Sequence, residues 1–134
     1  MSKELENKLI QSARDVSLKS YSPYSKFKVG CAILSSGAEI FTGCNIENIS
    51  FGLTICAERA AVFNAINKIG PELKIMKVVI YTPTGKPITP CGACRQVLGE
   101  FGNDTEILSV CNSEMTLRYT LKELLPYSPN IKFD

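Results

Sequence analysis

The order of elements in this sequence predicts an α/β fold, with one mixed sheet of five strands covered by helices. Apolar residues recur at helical spacing among charges over 3–20 and 55–69. Apolar runs of strand length fall at 28–34, 39–44, 75–81, 106–111 and 116–120. The resulting order is helix, strand, strand, helix, strand, helix, strand, strand, helix, which implies a single mixed sheet.

Leu5, Leu9, Ala13, Val16 and Leu18 form the apolar stripe of the first helix. Ser and Pro in SYSPYSK break it and make a loop of Tyr21 to Lys26. Lys28 to Leu34 and Glu39 to Cys44 are strands, joined through a turn at Ser35, Ser36 and Gly37 into a hairpin. Residues 45–54, NIENISFGLT, are polar and without a clean period, which marks a loop of functional interest. The Ala-rich helix Ile55 to Ile69 is stopped by Gly70 and Pro71. Ile75 to Tyr81 reads as a central strand, and TPTGKPITP, with three prolines, as a loop. A third helix runs from Cys91 to Phe101 and ends at Gly102. Glu106 to Cys111 and Thr116 to Thr120 are strands joined by NSEM, and Leu121 to Leu125 is a short helix before Pro126.

The 134 residues suffice for one domain, 1–134, with no internal repeat or linker. Hydrophobic residues at 45% and charged residues at 21% fit a folded globular chain and argue against disorder. No run approaches the roughly 18 apolar residues of a membrane span. Fifteen Lys and Arg against 13 Asp and Glu leave +2, which gives no electrostatic reason for a nucleic-acid surface. The start MSKELENKLI lacks the apolar core of a secretion signal, so a cytoplasmic location is expected.

There is no histidine, so a Ser-His-Asp triad, a Cys-His pair and any His metal ligand are excluded. Six cysteines should stay reduced in such a compartment, and a soft metal such as zinc is the first explanation for some of them. Cys91 and Cys94 form a C-x-x-C at a helix start, one helical turn apart on one face. Cys56 sits at the start of the Ala-rich helix, and thiolates at helix N-termini are favoured by the dipole. Three protein ligands leave a fourth position for water, the catalytic arrangement. Glu58, two residues after Cys56, is a candidate proton shuttle. Taken singly, these residues have plainer readings: a redox pair for the C-x-x-C, a small buried hydrophobe for Cys56, a solvated carboxylate for Glu58. Cys31, Cys44 and Cys111 fall in apolar strand runs and are expected to be buried thiols.

ICAERAA at 55–61 followed by PCGACRQ at 90–96 resembles the zinc-dependent cytidine deaminases. SPYSKFKVG at 22–30, GCNIEN at 43–48 and ELLP at 123–126 extend the likeness over most of the chain. The absence of histidine selects the three-cysteine branch of small homotetrameric enzymes. The resemblance implies a three-layer α/β/α fold with helices on both faces of the five-stranded sheet. It implies Zn²⁺ on Cys56, Cys91 and Cys94 and hydrolytic deamination at C4 of cytidine and deoxycytidine, with Glu58 moving protons to N3 and to the leaving ammonia. Three thiolates and Zn²⁺ sum to −1, so a nearby cation is expected; Arg59 matches the family position for it, and Arg95 is the second candidate. Asn45 and Glu47 match residues that hold the ribose 3′-hydroxyl, and Phe27 an aromatic that packs on base or sugar. Phe51 stands where the family puts an aromatic that enters a neighbour's pocket, implying a homotetramer with shared active sites. The crowd of Ala57, Ala60, Ala61 and Ala65 permits close helix approach, within the core or across an interface.

One departure follows ELLP, where the family places a pocket-closing phenylalanine. Here that position falls on Pro129, with Tyr127 and Phe133 as possible substitutes. Two other functions compete: the same fold acting on another aminated nucleoside, antibiotic or RNA base, and a non-catalytic zinc-stapled binding module. Asn45 and Glu47 favour a plain nucleoside, and the modest charge disfavours RNA. Glu58 and the missing fourth ligand argue against the module.

Overall fold

A computed structural model of the chain describes residues 1–129 and 131–133. Helix α1 (Lys3–Ser17) begins where Ser2 Oγ accepts the Leu5 N–H at 3.2 Å. It ends three residues earlier than its apolar pattern suggests. Ser17 Oγ turns back to the Arg14 carbonyl at 2.6 Å, Leu18 points into solvent, and the chain leaves as a turn.

Strands β1 (Gly30–Ser35) and β2 (Ile40–Cys44) form the expected antiparallel hairpin. The residue that takes up the left-handed conformation there is Ala38 (φ 64°), one place beyond Gly37. Helix α2 (Ala57–Ile69) leads into β3 (Ile75–Tyr81), and α3 (Gly92–Leu98) into β4 (Glu106–Val110). Strand β5 (Leu117–Thr120) and the one-turn helix α4 (Leu121–Leu124) follow. A capping box starts α4: Thr120 Oγ1 accepts from the Glu123 N–H, and Glu123 Oε1 from the Thr120 N–H. α3 stops at Leu98 rather than Phe101, and the next residues form tight turns that bring the Phe101 carbonyl to the Ile75 N–H at 2.9 Å.

The sheet order is β2-β1-β3-β4-β5, parallel only between β3 and β4, as a crossover through α3 requires. β1 is buried along its whole length and β3 nearly so, as central strands should be. One face packs α1 through Leu9 and Ala13 against Ala32, Val79 and Leu108. The other packs α2, α3 and α4 through Ala61, Leu98 and Leu121 against Ile33, Val78 and Ile107. The fold is thus the three-layer α/β/α sandwich expected.

Two glycines set the spacing. A Cβ on Gly43 would lie 2.2 Å from the Ala61 nitrogen, and one on Gly30 would lie 1.9 Å from the Ala13 carbonyl oxygen. Ala57, Ala61 and Ala65 are fully buried on that close α2 face, so their small size serves the core of this chain. Cys31 and Cys111 are buried as expected, but Cys44 is only half-buried because it ends the edge strand.

Lys77, inside the apolar run of β3, is 1% exposed. Its ammonium meets Glu6 of α1 and, at 3.1 Å, Glu106 of β4, while Arg118 of β5 bridges the same two carboxylates at 2.5 and 2.8 Å. Arg118 first, with Lys77 beside it, holds the Glu6 carboxyl down from 4.5 to about 2. That lowered value stabilises the fold fully above about pH 4.5 and is lost as pH falls towards 2. Lys77→Ala should cost about 1–3 kcal/mol in urea unfolding, since a buried alkyl stem is lost and two partly exposed carboxylates keep only Arg118. Glu6→Gln should flatten the fall in stability between pH 5 and 2; an unchanged slope would remove Glu6 from acid unfolding.

Candidate metal centre and active site

Two of the three helices on the α2 face of the sheet, α2 and α3, begin on a cysteine. Cys56 is the N-cap of α2 and Cys91 the N-cap of α3, and neither sulfur bonds back to its own helix. The sulfurs are therefore left to point off the positive helix ends. Cys94, in the first turn of α3, joins them, and the three Sγ atoms lie within 4.8 Å of one another. Cys56 and Cys91 Sγ are 4.0 Å apart. Zinc–sulfur bonds of about 2.3 Å in a tetrahedron separate sulfurs by about 3.8 Å, so the donor set fits zinc at three corners. No other cluster of three such ligand side chains occurs among the described residues.

The three cysteines differ in setting: Cys94 is buried, Cys56 half-buried and Cys91 exposed. The Cys94 thiol and then the Arg59 guanidinium donate to the Cys56 sulfur and lower its pKa from 9.0 to about 5. Cys94 moves the opposite way, because it keeps the proton it shares with Cys56. Arg59 Nη2 lies 3.3 Å from Cys56 Sγ, and its buried Nε has no hydrogen-bond partner among the described residues. Arg95 is differently engaged. Its guanidinium donates to the Pro90 and Leu124 carbonyls and to Thr89 Oγ1, so the cation at the sulfurs is Arg59.

Glu58, in the first turn of α2, is 5% exposed. Burial raises its carboxyl from 4.5 to about 7, and the adjoining Cys56 thiolate adds to the rise. A carboxyl poised there can both take and give a proton near neutral pH.

The polar loop reaches this centre by backbone pairing. Ile46 and Ile55 exchange hydrogen bonds of 2.9 Å, which places Asn45 and Glu47 beside the residue that precedes Cys56. On its other side Ile46 pairs with Tyr21. Asn45 is buried; its Nδ2 donates to the Phe27 carbonyl at 2.7 Å, and its Oδ1 accepts from the Val29 N–H at 2.9 Å and from Ser20. Glu47 Oε1 accepts from the Tyr24 and Ser25 N–H groups at 3.0 and 3.1 Å, and Oε2 accepts from the Ser25 hydroxyl. The Ser25 hydroxyl, followed by the two N–H groups, holds Glu47 below the usual carboxylate range. Phe27 is half-buried in the segment between α1 and β1, its N–H donating to Ser25 Oγ at 3.0 Å.

Ser25 is the residue the sequence reading missed. The proline two places before it signals a turn, but nothing local tells which carboxylate a turn serine meets. The loop also holds a short 3₁₀ turn, Phe51–Leu53, unseen in the polar pattern. Phe51 is 73% exposed and meets Tyr24 edge-on, ring centres 5.7 Å apart. Tyr127 and Phe133 are exposed in this chain. No helix among the described residues is long and apolar enough to cross a membrane.

The model of the cytidine and deoxycytidylate deaminase zinc-binding region matches residues 3–110. A cytidine deaminase of Sporosarcina psychrophila is 41% identical over 89% of this chain and 87% of its own. A probable cytidine deaminase of Dictyostelium discoideum is 42% identical over 94% of this chain and 84% of its own. The crystal structure of cytidine deaminase from Burkholderia pseudomallei superposes with a TM-score of 0.87 at 37% identity, covering 96% of this chain and 99% of that one. Likeness in sequence, fold and donor chemistry over nearly the same length on both sides makes this chain a member of the zinc-dependent cytidine and deoxycytidylate deaminase family.

Proposed function

We propose that this chain is a pyrimidine-salvage enzyme that hydrolyses cytidine and deoxycytidine to uridine and deoxyuridine plus ammonia. The observation that carries the reading is a buried carboxyl of raised pKa beside three convergent thiols at two helix starts. The relatives at about 40% identity, a cytidine deaminase and a probable cytidine deaminase, point the same way. Cys56, Cys91 and Cys94 hold the zinc. When bound, the metal acidifies a water to a pKa of about 7 and so supplies a nucleophile at neutral pH.

Glu58 takes one proton from the attacking water and delivers it to N3, which makes C4 electrophilic. The C4–O bond forms as the ring takes up that proton. Glu58 then carries the second proton to the exocyclic amine, the C4–N bond breaks, and ammonia leaves. A carboxyl near 7 accepts and donates with little loss in either direction. Arg59 offsets the net charge of −1 on three thiolates and Zn²⁺.

Asn45 and Glu47 take the ribose. Asn45 has one amide N–H beyond its bond to Phe27, and Glu47 keeps lone pairs on a carboxylate that favours a hydroxyl and repels a phosphate. Phe27 packs on the base or sugar. The working unit is a homotetramer with shared sites. Cys91 is exposed in a single chain, and Ile49, Phe51 and Leu53 are exposed apolar side chains in the same loop as Glu47. Six unpaired cysteines suit a cytoplasmic enzyme.

Glu58→Gln should fold, keep about one zinc per chain and lose about 10²–10⁴-fold in kcat, read by cytidine absorbance with elemental analysis alongside. Substantial turnover would assign the proton to another group. Cytidine 3′-monophosphate should be a very poor substrate; kcat/KM equal to that of cytidine would remove Glu47 from the 3′ position. Light scattering should report about four chains, and Phe51→Ala should weaken both assembly and substrate binding. A monomer with full specific activity at nanomolar concentration would overturn shared sites.

A further inference from the structure

The arginine that follows the last cysteine of PCGACRQ takes no part in the chemistry above. Arg95 donates from Nε to the Pro90 carbonyl at 2.8 Å, from Nη2 to Thr89 Oγ1 at 3.0 Å and from Nη1 to the Leu124 carbonyl at 3.0 Å. Its backbone N–H closes the first turn of α3 on the Cys91 carbonyl at 3.0 Å. One residue thus grips three consecutive positions, 89 to 91, by side chain and main chain together. The fourth contact joins them to the end of α4.

The three cysteines do not need this grip equally. Cys94 is buried within α3, and the Cys56 sulfur accepts from Arg59. Cys91 is exposed and lies outside the helix it caps, so its place is set by the backbone around it. All three acceptors of the Arg95 side chain are neutral oxygens lying in different directions. A planar fork can satisfy them together, whereas an ammonium on a flexible stem cannot. What the residue supplies is therefore geometry and not charge compensation.

We infer that Arg95 is a positioning residue for the metal centre, fixing the Cys91 backbone against α4 through its contacts with Pro90, Thr89 and Leu124. The inference rests on the reading of Cys56, Cys91 and Cys94 as zinc ligands.

The test compares zinc-loaded wild type with Arg95→Met, Arg95→Lys and Thr89→Val. Zinc affinity is read by competition with a chromophoric chelator, and site geometry by the visible spectrum after Co²⁺ substitution. Arg95→Met should hold zinc about 10- to 100-fold less tightly and shift the Co²⁺ bands. Thr89→Val, which removes one contact of three, should fall between it and wild type, and Arg95→Lys should recover only part of the loss. Wild-type affinity and spectrum in Arg95→Met would overturn the inference, and so would a lowered melting point of the metal-free variant with both readings unchanged. Should Arg95→Met fail to fold, wild-type affinity and spectrum in both Arg95→Lys and Thr89→Val would overturn it equally. A wild-type protein that binds no zinc would overturn the ligand assignment itself, a separate result from a zinc-binding wild type with unaffected variants.

Discussion

Helix α2 lies so close to β2 that a single methyl group would force them apart. A Cβ at Gly43 would sit 2.2 Å from the Ala61 nitrogen and 2.7 Å from the Ala57 carbonyl oxygen. The site depends on that approach. Cys56, Glu58 and Arg59 all belong to the first turn or the cap of α2, so their depth is the depth of the helix. A helix held further out would leave Glu58 in water, where a carboxylate has no reason to leave its ordinary pKa. The alanines facing the sheet and the glycine beneath them therefore shape the chemistry without touching it. Close packing here is a means of burying one charged group at a chosen place.

That burial is balanced by the electrostatics of the helix ends. Two N-termini converge, and each brings unpaired N–H groups and a partial positive charge. The Cys94 thiol and the Arg59 guanidinium lower the Cys56 value by donating to its sulfur, while burial pushes the carboxyl of Glu58 the other way. The centre separates its anions by environment: the Cys56 sulfur ionises where Cys94 and Arg59 donate to it, and burial brings the Glu58 carboxyl to about 7. With no histidine in the chain, every proposed ligand is anionic, which makes the Arg59 guanidinium a requirement rather than an addition.

Much of this was readable in advance, for physical reasons that can be named. The five strands and the course of α2 follow from period and breakers alone. The cysteine set follows because ligand chemistry tolerates few residue types at few spacings. What was not readable depends on partners far along the chain. The end of α1 is decided by a serine that bonds back to Arg14, against an apolar pattern that runs on. Lys77 looks like a lapse in an apolar strand until Glu6, Glu106 and Arg118 arrive from three other elements. Ser25 and Glu47 are 22 residues apart and meet only because Ile46 pairs with both Tyr21 and Ile55. The alternation and spacing of residues cannot register such meetings.

Asn45 shows why the proposed substrate subsite cannot be separated from the fold. Its carboxamide fastens Phe27 and Val29 to the end of β2, and its backbone carbonyl accepts from Tyr21. Glu47 does the same for Tyr24 and Ser25. The loop that carries Phe27 is therefore held by the very groups proposed to meet the ribose. Such an arrangement aligns base and sugar contacts through one set of bonds, so that neither can drift without the other. It also means that losing Asn45 would release the 20–29 segment as well as the hydroxyl contact proposed for it. An effect on KM at that position would then report loop order and sugar recognition together. The amide N–H that Asn45 has free is the part of the residue that folding leaves to a ligand. The remaining capacity of Glu47 lies on the same stretch of backbone, one residue either side of the pairing that leads to Cys56.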